Sequence, residues 1–99
     1  MTENFDYKNL IVWQKAKRLA VEIYRLTDRF PKTEVYGLVS QMRRAAIPIP
    51  SNIAEGYRGY HKRERVQFLS IAFGFGAELE TQIEIAKEIF VLDAIIFEM

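Results

Sequence analysis

The segment QMRRAAIPIPSNIAEG, residues 41–56, contains the clearest evidence for the fold of this chain. Its apolar residues recur every three or four positions, the spacing of one face of an α-helix. They are Met42, Ala45, Ile49 and Ile53, and Leu38, just before the stretch, continues the same pattern. Pro48 and Pro50 lie inside this pattern, and a proline in a helix interior costs about 3 kcal/mol or more. Either the helix kinks at the prolines or two segments meet there. Since the apolar spacing keeps its phase across both prolines, we favour one kinked helix over residues 34–56, capped by Thr33.

Two arginines and two other polar residues accompany this apolar face. Arg43 and Arg44 are adjacent and therefore point about 100° apart on a helix. We expect one to form an internal ion pair and the other to remain in solvent. The expected partner is one of Glu55, Glu78 or Glu80. The alternative is that both arginines belong to a phosphate-binding surface, because guanidinium groups match phosphate oxygens bidentately.

Asn52 and Glu55 are three residues apart and therefore share a helical face close to the prolines. We expect them to bond backbone carbonyls that Pro48 and Pro50 leave without donors. With Glu78 they form the predicted structural polar cluster. A catalytic carboxylate would need a partner group that the sequence does not supply.

Helices are predicted on both sides of this stretch. The first covers residues 10–29, with Asn9 as N-cap and the pair Phe30-Pro31 as its end, because the residue before a proline is pushed out of helical geometry. The third begins within residues 61–64 and runs to about residue 88. Gly74 and Gly76 each cost it about 1 kcal/mol relative to alanine, and a close approach by a neighbouring helix would compensate.

The last ten residues, FVLDAIIFEM, are strongly apolar but too short to span a bilayer, which needs about 20 residues. Asp93 could cap a fourth helix of one or two turns. We therefore predict a single all-α domain over residues 1–99, an antiparallel up-and-down bundle of three long helices and a truncated fourth. A three-helix core could not cover Ile95, Ile96 and Phe97 together, which favours contact with another chain.

Composition narrows the classes of function. The 99 residues, with 49% apolar and 27% charged, are typical of a globular domain. The absence of cysteine excludes disulfides and thiolate chemistry. The first residues lack a basic and apolar leader pattern, so we expect a cytoplasmic protein. No Glu-x-x-His pair or phosphate-cradling glycine loop is present, and we expect no enzyme activity, metal or cofactor.

Charge is divided unevenly along the chain. Residues 1–65 carry 13 Lys and Arg against 7 Asp and Glu, whereas residues 66–99 carry 1 against 6. Such a division can serve an anionic partner, or it can pair complementary helices within a bundle or between subunits. The densest basic segment, residues 58–65, could neutralise several phosphates, with Tyr57 and Tyr60 stacking on unpaired bases. The alternative is an ordinary solvated helix start.

Several motifs resemble those of one protein family. They are LIVWQKA at residues 10–16, Phe30-Pro31 with Glu34, YGL at 36–38, QMRRAA at 41–46, IPSNIAEG at 49–56 and ELETQ at 78–82. The chain resembles the four-helix-bundle family encoded in intervening sequences of 23S ribosomal RNA genes, also called the S23 ribosomal protein family. It is similar as well to the accessory variability determinant protein of diversity-generating retroelements.

The resemblance implies an antiparallel four-helix bundle that assembles into a ring, commonly a homopentamer, without known enzyme activity. For the retroelement relatives it also implies nucleic-acid binding through a basic surface and a reverse transcriptase as partner. We therefore expect a homo-oligomer that binds RNA or DNA non-specifically. The candidate binding residues are Arg43, Arg44, Arg58, Lys62, Arg63 and Arg65, with Lys17, Arg18 and Arg25 as secondary contributors. The alternative is a protein-interaction or assembly module with no role for nucleic acid.

Overall fold

Helices account for most of the chain in the computed structural model, which describes residues 6–59 and 61–98, with side chains to residue 90 except that of Val35. Helix α1 spans Ile11–Thr27, α2 Ser40–Ala46, α3 Pro48–Gly56 and α4 Lys62–Glu98. Tyr7–Asn9 and Lys32–Glu34 form 3-10 turns, and Val35–Val39 is π-helical. The all-α prediction is confirmed for the described residues.

The start of α1 depends on residues that the sequence did not single out. Asn9 is not the N-cap, because it lies in the preceding 3-10 turn and Leu10 precedes the helix without a side-chain cap. The Asp6 carboxylate accepts a hydrogen bond from the Lys8 amide at 2.9 Å, and the Gln14 side chain donates to the Lys8 carbonyl at 2.9 Å. These two bonds hold the turn that leads into α1.

The second predicted helix is present as two halves, α2 and α3, that meet at Ile47. The backbone of Ile47 stays α-helical, with φ −60° and ψ −43°. Its amide still donates to the Arg43 carbonyl at 3.3 Å, and the Ser51 amide donates to the Ile47 carbonyl at 3.4 Å. Both bonds are long because the prolines interrupt the ladder between them. Pro48 opens α3 at a position where a missing amide costs little, and the common apolar face continues across the break as predicted.

The predicted beginning of the second helix is wrong by six residues. The α-helical part begins at Ser40, after the π-helical segment, and Gly37 within that segment has non-helical angles of φ −103° and ψ −109°. Glu34 rather than Thr33 is the cap, since its carboxylate accepts from the Leu38 amide at 3.4 Å. A glutamate reaches further than a threonine and closes the wider turn.

The predicted fourth helix is not a separate element, because α4 continues through residue 98. At 1.5 Å per residue its 37 residues measure about 55 Å, close to the 60 Å long axis of the molecule. No proline or glycine follows Gly76, and an aspartate inside a helix costs less than about 1 kcal/mol, so Asp93 is too weak a signal to end it. The described residues therefore form three helical rods, the second of them broken.

The broken helix lies between the other two. Buried alanines at the contacts allow close helix packing, and Met42 and Leu79 fill the space between them. The core consists of Ala16, Ala20, Ile23, Met42, Ala45, Ala46, Ile49, Ile53, Ala72 and Leu79. Beyond the C-terminus of α1, the ring of Phe30 packs against the ring of Phe90 in α4, with their centres 4.5 Å apart. Helices α1 and α4 thus both pack on α2 and α3, and each runs antiparallel to them.

An apolar groove between α1 and α4 stays uncovered. It is lined by Val12, Ile49, Ile53, Leu69, Ala72, Phe73, Gly76, Ala77 and Glu80 and encloses about 410 Å³. Phe73 is 80% exposed and Val12 52%. The first helix therefore leaves part of its apolar surface, including Val12, uncovered.

The expected close helix approach occurs at a different glycine. A Cβ placed on Gly74 or Gly76 would meet no atom within 4 Å, so the prediction for these two positions is wrong within the described residues. At Gly56 it would lie 3.2 Å from the Phe68 Cβ and 3.3 Å from the Arg65 carbonyl oxygen. Gly56 therefore sets how closely α3 approaches α4.

Candidate nucleic-acid interface

Arg43 connects the first and second helices. Its Nε donates to the Thr27 hydroxyl at 2.9 Å and its Nη2 to the Tyr24 carbonyl at 3.2 Å, and its guanidinium lies 4.5 Å from the centre of the Tyr24 ring. Nη2 also pairs with the Asp28 carboxylate at 3.4 Å. One arginine does bond internally, as expected, but its partners are on α1 and not the three glutamates. Arg44, by contrast, is exposed.

The predicted polar cluster is separated into independent contacts. The Asn52 side chain donates to the Pro48 carbonyl at 2.8 Å, a group that neither proline deprives of its donor. Glu55 pairs with Arg58 at 3.3 Å, and Glu78 accepts from the Gln82 side chain at 3.4 Å. Asn52 therefore acts locally within α3, and Glu78 is an exposed residue of α4.

Most of the candidate cations gather at one end of the elongated molecule, because α1 begins where α3 ends and α4 begins. We call this the basic end and define it as residues 6–18 and 54–65, apart from Tyr60. It carries eight Lys and Arg against three Asp and Glu. Residues 66–98, which run to the opposite end, carry one against six. Residues 19–53, which also run towards that opposite end, carry five against three. The basic end therefore has an excess of five positive charges, whereas the other described residues together have an excess of three negative charges.

Within the basic end, the segment at residues 58–65 has one inward and three outward cations. Arg58, Lys62 and Arg63 are exposed, although Arg58 is engaged with Glu55. Arg65 is half-buried with its guanidinium 5.0 Å from the centre of the Tyr57 ring, and its Nε is buried with no hydrogen-bond partner among the described residues. Tyr57 packs against the core, which does not suit the predicted stacking on bases. Tyr60 lies outside the described residues.

A second feature, an aromatic cleft between α1 and α3, was not found from the sequence. It is an open cavity of about 780 Å³ whose aromatic walls are Tyr7, Trp13 and Tyr24. Ala20, Pro50 and Ala54 are among its other lining residues, along with Glu55. The Tyr7 and Trp13 rings meet edge to face with their centres 5.4 Å apart. Trp13 and Tyr24 are eleven residues apart and therefore lie on the same face of α1. The opposite wall of the cleft comes from α3, which the sequence of α1 does not reveal.

Two of the secondary candidates, Lys17 and Arg25, line this aromatic cleft. The Lys17 ammonium lies 5.4 Å from the centre of the Trp13 ring, a favourable cation–π position. Arg18 is exposed on the adjoining surface, which it shares with Lys8 and Lys17. The structure therefore places the secondary candidates of α1 beside aromatic rings, whereas the primary candidates divide between α2 and the start of α4.

Two other classes of site are absent from the described part of the chain. None of its helices has the length and apolarity needed to cross a membrane. Within the same residues, no three or more acidic or histidine side chains come together in a way that could hold a metal ion.

The arrangement defines an all-helical protein with a basic end, an aromatic cleft and an uncovered apolar groove. Comparison with known families places it more closely. The pattern of the 23S rRNA-intervening sequence protein family matches residues 8–98, and the chain belongs to that family. A search of curated proteins found no match.

Proposed function

We propose that this protein is a non-enzymatic homo-oligomer that binds RNA or DNA without sequence preference through its basic end. The excess of five positive charges within that end carries the proposal, because phosphate neutralisation by Lys and Arg supplies most non-specific affinity. The exposed candidates within the basic end are Arg58, Lys62 and Arg63, with Lys17 and Arg18. Arg44 is exposed outside that end, and Arg43 contributes to folding instead. A resemblance to the retroelement accessory protein, with a reverse transcriptase as partner, belongs to the same proposal.

Salt dependence and charge reversal test this binding. If four or five phosphates are neutralised, the logarithm of the affinity for single strands falls with a slope of about −3, or roughly 60-fold between 50 and 200 mM salt. We expect Lys62→Glu with Arg63→Glu to weaken binding of a labelled mixed-sequence 30-mer RNA at least ~10-fold. The matched control is Arg29→Glu with Lys32→Glu, which reverses two exposed cations outside the basic end. Equal affinities for the two double variants would refute the role of the basic end.

The second candidate function is an assembly module, and the apolar groove favours it. We propose a second copy of this chain as its occupant. Phe73 and Val12 expose apolar surface there, and the open space above Gly76 allows a second helix backbone to approach closely. Two copies packed antiparallel would also set the basic end of one against the acidic half of the other's long helix. The side chains of Ile95, Ile96 and Phe97, which first suggested such a contact, lie outside the described side chains.

Light scattering combined with a nucleic-acid shift assay separates the two candidates. Phe73→Glu should dissociate the assembly, whereas Ile71→Glu, an exposed residue of α4 outside the groove lining, should leave it intact. The subunit number would also test the homopentamer that the resemblance implies. An oligomer that ignores RNA at low salt would favour assembly alone, and a monomer at all concentrations would refute it.

A further inference from the structure

We infer that the aromatic cleft between α1 and α3 seats an unpaired nucleobase of a single strand, with Lys17 and Arg25 binding the adjacent phosphates. The inference rests on the proposed nucleic-acid binding and narrows it to one class, single strands in preference to duplexes. It concerns the surface between α1 and α3, which adjoins the Arg58–Lys62–Arg63 segment through Glu55 but is lined by none of those three cations.

The shape and lining of the cleft carry the first step. Its roughly 780 Å³ falls within the range of about 300–1,000 Å³ that is typical of small-ligand sites, and its long walls are apolar and aromatic. A nucleobase has two apolar faces and a polar edge, so it can bury a face against Trp13 while its edge remains at the open side. In a duplex both faces of each base are already stacked on neighbouring base pairs, so no base is free to enter the cleft.

Charge carries the second step. Lys17 and Arg25 are eight residues apart on one helix, about 12 Å along its axis, and both are exposed cations of the cleft lining. Glu55 is the carboxylate of that lining and is already paired with Arg58. Lys8 and Arg18 extend the basic surface beyond Lys17. A neutral or cationic apolar ligand would gain nothing from these groups, whereas a base that carries a phosphate on each side matches them.

The Lys17 ammonium lies over the Trp13 ring, where an incoming base could replace it. An exposed cation–π contact is weak, and the lysine stem is flexible. An incoming base would take the place of the ammonium on the indole, and the ammonium would move outward to a phosphate. Stacking on an aromatic side chain contributes about 5- to 150-fold in affinity per base, which decides between single and double strands at equal charge.

Trp13 is the one tryptophan of the chain, so its fluorescence reports on this cleft alone. We would titrate the full chain with a 12-nucleotide single strand and with its duplex, following tryptophan emission and the anisotropy of a labelled strand together. The single strand should quench the emission over the concentration range in which it binds, and the duplex should leave emission unchanged. Trp13→Leu should reduce single-strand affinity at least ~5-fold and Trp13→Phe should restore most of it.

A pair of charge variants keeps the test independent of folding. Lys17→Gln and Lys15→Gln each remove one exposed cation from α1, but only Lys17 lines the cleft. We expect Lys17→Gln to weaken single-strand binding at least ~5-fold more than Lys15→Gln does. Binding with unchanged emission, or equal effects of the two variants, would overturn the inference and leave the proposed function standing. No binding of either nucleic acid at low salt would overturn the proposed function itself.

Discussion

Replacement of Arg43 by methionine should destabilise the fold by about 2–4 kcal/mol. The Arg43 side chain is 28% exposed and donates to the Thr27 hydroxyl and the Tyr24 carbonyl. Hydrogen bonds from a charged group contribute about 1.5–3 kcal/mol, and the cation–π contact with Tyr24 adds about 0.5–1 kcal/mol. The ion pair with Asp28 adds little, because that carboxylate is 84% exposed. Methionine keeps the apolar stem, so the loss measures the guanidinium contacts.

Urea and thermal unfolding followed by circular dichroism would measure this change. For a domain of this size each kcal/mol corresponds to about 4–8 °C in Tm, so Arg43→Met should lower Tm by about 10–30 °C. The neighbouring Arg44→Met is the matched control, since this arginine is exposed, and its change should stay within about 0.5 kcal/mol. Combining Arg43→Met with Thr27→Val should give a coupling energy of about 1 kcal/mol.

The result that would refute the assignment is an Arg43→Met variant as stable as Arg44→Met. It would mean that the bonds to α1 do not hold the first helix to the second. An Arg43→Met variant that kept its stability but lost nucleic-acid affinity would instead show that Arg43 binds nucleic acid. We expect the reverse, with RNA affinity within about twofold of the parent when the comparison is made on folded protein.

Packing against the long helix α4 gives two further predictions. Leu79→Ala should cost about 2–5 kcal/mol in urea unfolding, because this side chain is 2% exposed; a cost below 1 kcal/mol would contradict its place in the core. Gly56→Ala should cost about 1–3 kcal/mol, because its methyl group would press on Phe68 and on the α4 backbone. Gly76→Ala is the control for the second change and should stabilise the helix by about 0.5–1 kcal/mol; equal signs for the two glycine variants would contradict the packing described here.

Apolar periodicity predicted the elements well, because burial and helix formation depend on the same spacing. The break between α2 and α3 also followed from the sequence, since two prolines leave a recognisable gap in the hydrogen-bond ladder. The error at residues 34–39 has a different cause. A π-helical turn capped by Glu34 uses the same apolar residues as an α-helix, and the one sign of it, Gly37, is not distinctive.

The end of the third predicted helix was placed too early because Asp93 was interpreted as the N-cap of a fourth helix. An N-cap residue marks the start of a new helix only where the preceding helix has ended. Asp93 lies in a stretch without glycine or proline, so the continuous helix keeps every backbone bond and loses only a little propensity. Two helices would each have needed new caps and a turn.

The candidate site could be predicted only in part. The sequence identified the cations, and the antiparallel arrangement brings many of them to one end. It did not identify Thr27 and Tyr24 as the partners of Arg43, because these contacts join residues 16 and 19 positions apart. The aromatic cleft was missed for the same reason: its two walls belong to helices whose relative rotation no local pattern records.

The long helix α4 carries its charges against its own macrodipole. Lys62, Arg63 and Arg65 lie in its first turn with one carboxylate, Glu64, where the unpaired amides are partly positive, and its last turn contains no basic residue. Each misplaced charge costs about 0.3–1 kcal/mol at low salt, so the opening turn is held less firmly than the rest of the helix. A bound polyanion would reverse the sign of that interaction. Contact with phosphates should therefore tighten this turn, and amide exchange at residues 62–66 would slow without any change elsewhere in the helix.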